Sequence, residues 1–199
     1  MALFSVALPS TVKTLKNGVN TMIVSATDGD DAKAMAASHF TGDSPWSDAT
    51  ATELTEINVN TATALTGWRF KIVVQTTVPK VFELTATGAS QDTLDEIGAA
   101  LATLINLDAD ISGAAYNSTT QALTVAAGSG ADDLGDKICT CEVFPPLVQN
   151  AQGEQTNSDV AIPGFVASIT DEGNATDDLT VTFAADTLLV PKVWVAGKS

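Results

Sequence analysis

The sequence predicts an α+β fold that is β-rich, with mostly antiparallel sheets and two short helices packed on them. Three observations lead there. Trp68, Phe70, Ile72 and Val74 alternate with Arg69, Lys71 and Gln75, the period-two signature of a half-buried strand. Leu94, Ile97, Leu101, Leu104 and Ile105 recur at spacings of three and four, which places them on one face of a helix. Short apolar runs are separated by Gly, Asn, Asp and Pro, as hairpin-connected strands require.

Residues 1–57 read as an N-terminal β-β-α unit. FSVAL alternates through Phe4, Val6 and Leu8. Asn17-Gly18 marks a turn, and a strand follows through Met22 and Val24. Thr27 and Asp28 can cap the helix DDAKAMAASHF, whose early acids suit the helix dipole. Its expected buried stripe is Ala32, Met35, Ala36 and Phe40, and Gly42 ends it. SPWSDATATELTEI leads into a last strand or extended segment. NVNTATALT, residues 58–66, reads as a linker or edge segment.

The best-patterned stretch is residues 67–144, a central ββαβββ module. Phe82, Leu84 and Ala86 alternate in its second strand, after a turn that holds Pro79. Ser90 or Asp92 is the expected helix cap. Gly98 sits in mid-helix, where glycine costs roughly 1 kcal/mol relative to alanine unless close packing uses it. Asn117 to Thr120 form a hairpin turn, with Leu123 and Val125 on the returning strand. Residues 145–199 read as an extended, Pro-bracketed arm followed by C-terminal strands that complete a sheet, within the chain or on a neighbour. MIVSATDGDDAKAMAASHF and VFELTATGASQDTLDEIGAALATL share a strand, Ala-Thr, acid and helix order. Ordinary strand-to-helix chemistry explains that echo better than a repeat does.

Composition narrows the function classes. The 199 residues carry 24 acidic and 9 basic side chains, a net charge of −15. Nucleic-acid binding needs a basic footprint, and the cations are scattered. Charged residues are only 17% of the chain, against a usual share of about 25%. A surface of Thr, Ser and Ala loses little hydration on burial, which favours packed assembly. The first residues lack the basic and apolar regions of a secretory signal, and no apolar run reaches the ~18–20 residues of a membrane span. The expected site of synthesis is the cytoplasm, with no membrane partner.

Each candidate for chemistry has a plainer reading. His39, the single histidine, stands at a helix end beside Phe40. Cys139 and Cys141, two apart on a strand, share a face where a disulfide would be strained, and read as reduced core thiols. Asp28, Asp30 and Asp31 open like a calcium loop, but later ligand positions hold Ala34 and Met35 and no glutamate closes it. The other acid clusters, Asp132, Asp133 and Asp136, then Asp171, Glu172, Asp177 and Asp178, read as solvated turns. AGSGA, residues 127–131, follows a strand but leads into no apolar helix, so it reads as a turn, not a phosphate cradle. No catalytic residue, metal ligand or cofactor site is expected.

Leu84 to Asn106, with its strand, T-A-T, acidic cap and L-x-x-I-x-x-A-L spacing, and the hairpin Ala114 to Ala126 resemble small structural proteins of tailed-bacteriophage virions. The resemblance covers residues 68–127, and the first 45 residues loosely. It implies a non-enzymatic virion component, first a capsid decoration (cement) protein bridging capsid subunits. A tail-tube or head-tail connector subunit is the alternative, since an acidic face would suit a DNA-conducting lumen. A cell-surface adhesion module is the non-viral alternative. The implied partners are the major capsid protein and other copies of the chain, in a homo-oligomer. Expected interface residues are Phe4, Arg69, Lys71, Pro145, Pro146, Val193 and Trp194, with arms at 1–15, 145–163 and 185–199.

Overall fold

The computed structural model describes residues 1–8, 21–39, 46, 48–75, 79–88, 90–111, 113–126, 139–146, 148–149, 155–156, 165–171, 179–183 and 186–192. These hold two helices and a majority of strands, a β-rich α+β fold with antiparallel sheets. The chain divides into two compact units. One contains residues 1–56 and 189–197, the other residues 57–188.

The N-terminal unit is built on β1 (Ala2–Ala7), β2 (Thr21–Ala26), β3 (Thr50–Asn58) and β13 (Thr187–Pro191), in sheet order β13-β3-β1-β2. β1 is antiparallel to β2 and β3. It is therefore an interior strand, although residues 1–15 read as an arm. Helix α1 (Gly29–His39) lies against β1 and β2. Asp28 caps it: its Oδ1 accepts from Asp31 N at 2.9 Å, while the Asp31 carboxylate accepts from Thr27 N and Oγ1 at 3.0 Å each. Two helix N-terminal amides and a hydroxyl are satisfied reciprocally. Only Ala32 and Ala36 of the expected stripe are buried in α1, and Met35 is 42% exposed. Phe40 and the Asn17-Gly18 turn lie outside the described residues. The core is Phe4, Val6, Ala26, Ala32, Ala36, Trp46 and Ala49.

In the second unit, β4 (Arg69–Gln75) lies between β5 (Pro79–Thr85) and β8 (Cys139–Phe144). A second sheet has the order β11-β12-β7-β6, from β6 (Gly113–Asn117), β7 (Ala122–Ala126), β11 (Val166–Asp171) and β12 (Leu179–Phe183). β8 lies beside β11, and α2 (Leu94–Ile105) lies against β5, β6 and β7. The two sheets and the helix thus surround one core. Phe165 stands at its centre, with ring centroids 5.7 Å from Trp68, 5.5 Å from Phe70 and 6.3 Å from Phe183. Such tilted and edge-on ring contacts add to the area that the rings bury. A two-residue ladder, β9 (Val148–Gln149) with β10 (Gln155–Thr156), crosses the segment that reads as an arm.

Two local expectations change here. Thr93, not Ser90 or Asp92, caps α2: its Oγ1 accepts from Glu96 N at 3.3 Å, and Glu96 Oε2 accepts from Asp92 N at 3.2 Å. Residues 58–66 are no free linker. Val59 and Leu65 are buried, with Leu94 N donating to Val59 O and Leu65 N to Asp92 O. Of the two alternatives for the C-terminal strands, the described ones complete sheets within the chain: β12 pairs with β7 and β13 with β3. Gly98 meets the ring of Tyr116, and a Cβ there would overlap three of its atoms. The mid-helix glycine is the condition for that close approach.

Candidate assembly surface

The charged candidates lie on the outer face of the β5-β4-β8 sheet. Phe70, Ile72 and Val74 of β4 are buried, so Arg69 and Lys71 take the opposite face. Because β4 is a central strand, each cation has a cross-strand partner within the chain. Arg69 Nη1 is 3.1 Å from Glu83 Oε1, and its guanidinium lies 4.3 Å over the Phe144 ring. Lys71 Nζ is 3.6 Å from Glu142 Oε2. These partly exposed pairs contribute about 0–1 kcal/mol each. They also neutralise the cations that would attract an acidic neighbour.

The remaining expected interface residues divide three ways. Phe4 is 7% exposed and belongs to the N-terminal unit's own core, because it shares the α1 face of β1 with Val6. Pro145 is buried and Pro146 half-buried at the end of β8. There a Cβ on Gly67, held at φ +83°, would come within 3.0 Å of Pro146 Cβ. Val193 and Trp194 lie outside the described residues.

Other titratable groups have structural partners. Asp31 is held below the usual carboxylate range by the Thr27 amide first and the Thr27 hydroxyl second. Asp30 is lowered by its hydrogen bond and charge interaction with Lys33. Lys80 is raised by Asp110 at 2.6 Å and Asp108 at 3.3 Å. Burial, and then the Asp95 charge, push the Tyr116 hydroxyl up, and that hydroxyl donates to Asp95 Oδ1 at 3.1 Å. Cys141 is half-buried and in no disulfide. His39 is exposed at the last position of α1. Among the described residues no group of three or more His, Cys, Asp or Glu could hold a metal, and no helix is long and apolar enough to cross a membrane. The acid cluster at 132–136 lies outside the described residues, as do Glu172, Asp177 and Asp178.

A polar hollow of about 370 Å³ lies at the β6–β7 turn, lined by Ser118, Thr119, Thr120, Gln121, Phe183 and Asp186. Its polar groups are largely engaged by the fold. Asn117 Oδ1 accepts from Thr119 N and Thr120 N, and Gln121 Nε2 donates to Asp186 Oδ1 at 2.8 Å. The hollow is a braced turn.

The surface that sequence reasoning missed is the outer face of the N-terminal sheet. Register places Ser25, Leu3 and Leu54 in one row, Ile23, Ser5 and Thr52 in the next, and Thr21, Ala7 and Thr50 in the third. None of the nine is charged. Ile23 is 57% exposed and Leu3 39%. Leu189 of β13 is also 39% exposed. The signal was present: the residues between Phe4 and Val6, and between Met22 and Val24, are as free of charge as the core positions. A sheet face that stays in water normally alternates polar with apolar and carries charge. Across these three rows this one carries hydroxyls and aliphatics, and its first charge on β3 is Glu56 beyond them.

No protein-family model matches the chain, and neither a curated protein nor a solved structure does.

Proposed function

We propose that the chain is a non-enzymatic virion structural protein that acts by assembly, as a capsid decoration protein bridging capsid subunits. The observation that carries this reading is the uncharged patch of three rows on the outer face of the β13-β3-β1-β2 sheet, bounded on β3 by Glu56, in a chain of net charge −15. Burying it strips no ion of water, so its aliphatic area contributes about 25 cal/mol per Å² without the opposing desolvation of charge. The resemblance of Leu84–Asn106 and Ala114–Ala126 to phage virion proteins supports the virion setting. The engagement of Arg69, Lys71, Asp31 and Lys80 by partners within the fold supports a structural role for those groups.

Decoration is mechanical. A subunit that seats an uncharged face across a junction between capsid subunits ties them together, and the buried area must be exposed again before they part. The test adds the purified chain to expanded empty capsids of the phage that encodes it. Binding with a raised capsid melting temperature is the expected result. Immuno-gold labelling along tails, with capsids ignored, overturns decoration in favour of the tail reading, to which the acidic charge is also suited.

A further inference from the structure

We propose that two copies of this chain join edge to edge through β2, in antiparallel register about a two-fold axis at Ile23. The inference rests on the assembly reading above and names the partner of that surface.

β2 is the outermost strand in the order β13-β3-β1-β2, so one of its edges bonds to β1 and the other has no strand among the described residues. Proteins guard such edges with charge, proline, bulges or covering elements. The other described edges of the three larger sheets each have such a guard. β5 carries Pro79, Lys80 and Glu83, and β8 carries Glu142. β11 has a register shift between Val166 and Ser168 and ends at Asp171. β13 ends at Pro191, and on β6 the Asn106 side-chain amide takes up both Ala114 N and Ala114 O. β2 reads TMIVSA, with no charge and no proline, and its pairing with β1 is unbroken from Ala2↔Ala26 to Ala7↔Thr21. It has no guard.

Charge then selects the occupant. A chain of net charge −15 ordinarily attracts basic partners. Along β2 a basic strand would find no carboxylate and would lose hydration without a counter-charge. An acidic strand would find no cation along β2 and would lose hydration in the same way. The matching strand is uncharged, and β2 of a second copy is one. A two-fold axis normal to the sheet keeps the uncharged face on one side in both copies. Paired residue numbers must then sum to an even number, because strand side chains alternate faces. Centring on Ile23 sets Ile23 opposite Ile23, Met22 opposite Val24 and Thr21 opposite Ser25, so like meets like at each pair. The three uncharged rows continue across the axis into the second copy.

The test is the oligomeric state of the full chain by sedimentation. Wild type is expected as a dimer that gains population as salt screens the repulsion. Ile23→Lys should sediment as a monomer with an unchanged circular dichroism spectrum, while Val81→Lys, at a 56% exposed position on the guarded β5 edge, should remain dimeric. Ile23→Cys should oxidise to a covalent dimer much faster than Val81→Cys. A wild-type monomer at every salt concentration, or equal cross-linking of the two cysteine variants, overturns the pairing. Capsid binding scored on the same proteins separates the two ideas. Equal cross-linking with capsid binding intact overturns the pairing alone. Selective Ile23 cross-linking without capsid binding leaves the pairing and overturns the virion reading.

Discussion

The two units solve the same problem, a helix on a sheet, with different amounts of apolar side chain. In the second unit α2 buries Leu94, Ile97, Leu101 and Ile105, and the sheets supply Phe70, Ile72, Phe82, Val125 and Phe183. Each large side chain contributes about 1.5–3 kcal/mol on burial. In the N-terminal unit α1 buries only Ala32 and Ala36, and alanine supplies four of the seven core residues. The second unit closes two sheets and a helix around one interior. The first covers one face of its sheet, and the other carries three uncharged rows on which Ile23 and Leu3 are exposed. The difference teaches that the second unit is built to hold itself together. The first leaves part of its apolar area exposed on the sheet.

Substitutions can break or sharpen this contrast, and Phe165→Ala is expected to do most. It removes the ring that touches Trp68, Phe70 and Phe183, and should cost about 3–5 kcal/mol in chemical denaturation. Its effect on hydrogen exchange should concentrate in residues 57–188. Gly98→Ala comes next. Alanine favours a helix by roughly 1 kcal/mol, but its Cβ would overlap the Tyr116 ring, which Asp95 anchors at 3.1 Å. Overpacking of about 1–3 kcal/mol should win, so a more stable variant would refute the close approach. Thr93→Ala should cost about 1 kcal/mol through the lost cap, with thermal denaturation as the measure.

Acid should act on the other unit. Because Asp31 has a folded pKa below its ordinary 3.8, its capping contribution is present above that value and is lost as pH falls through the lower one. Exchange protection of α1 is expected to drop in that window, and Asp31→Asn should abolish the dependence. Ile23→Lys should be the smallest change in stability, within about 0.5 kcal/mol for an exposed position. Its effect belongs to assembly.

Local pattern made much of the second unit legible. The alternation from Trp68 to Val74 and the stripe from Leu94 to Ile105 each fix a face by period alone. The cap of α2 was misplaced because Ser90, Asp92 and Thr93 are all competent cap types. The choice fell to the residue whose hydroxyl meets the Glu96 amide. Met35 misled because α1 has little contrast between its faces, so alanine at 32 and 36 marks the buried side without announcing it. Arg69 and Lys71 were readable as a face but not as paired, since Glu83 and Glu142 reach them from two other strands. The uncharged outer face needed the register of three strands, one of them about 50 residues from β1 along the chain.

β13 closes the sheet that β1 begins, so the chain's first folded unit depends on nearly its last described strand. On a ribosome, residues 57–188 emerge with every strand they need before Leu189–Pro191 appear. Synthesis runs at about 5–20 residues per second and domains fold as units. The second unit can therefore mature while β3 still waits for its neighbour. Completion of the N-terminal sheet thus comes after that of the second unit's sheets. A nascent chain would carry β3 with one edge open until β13 emerged.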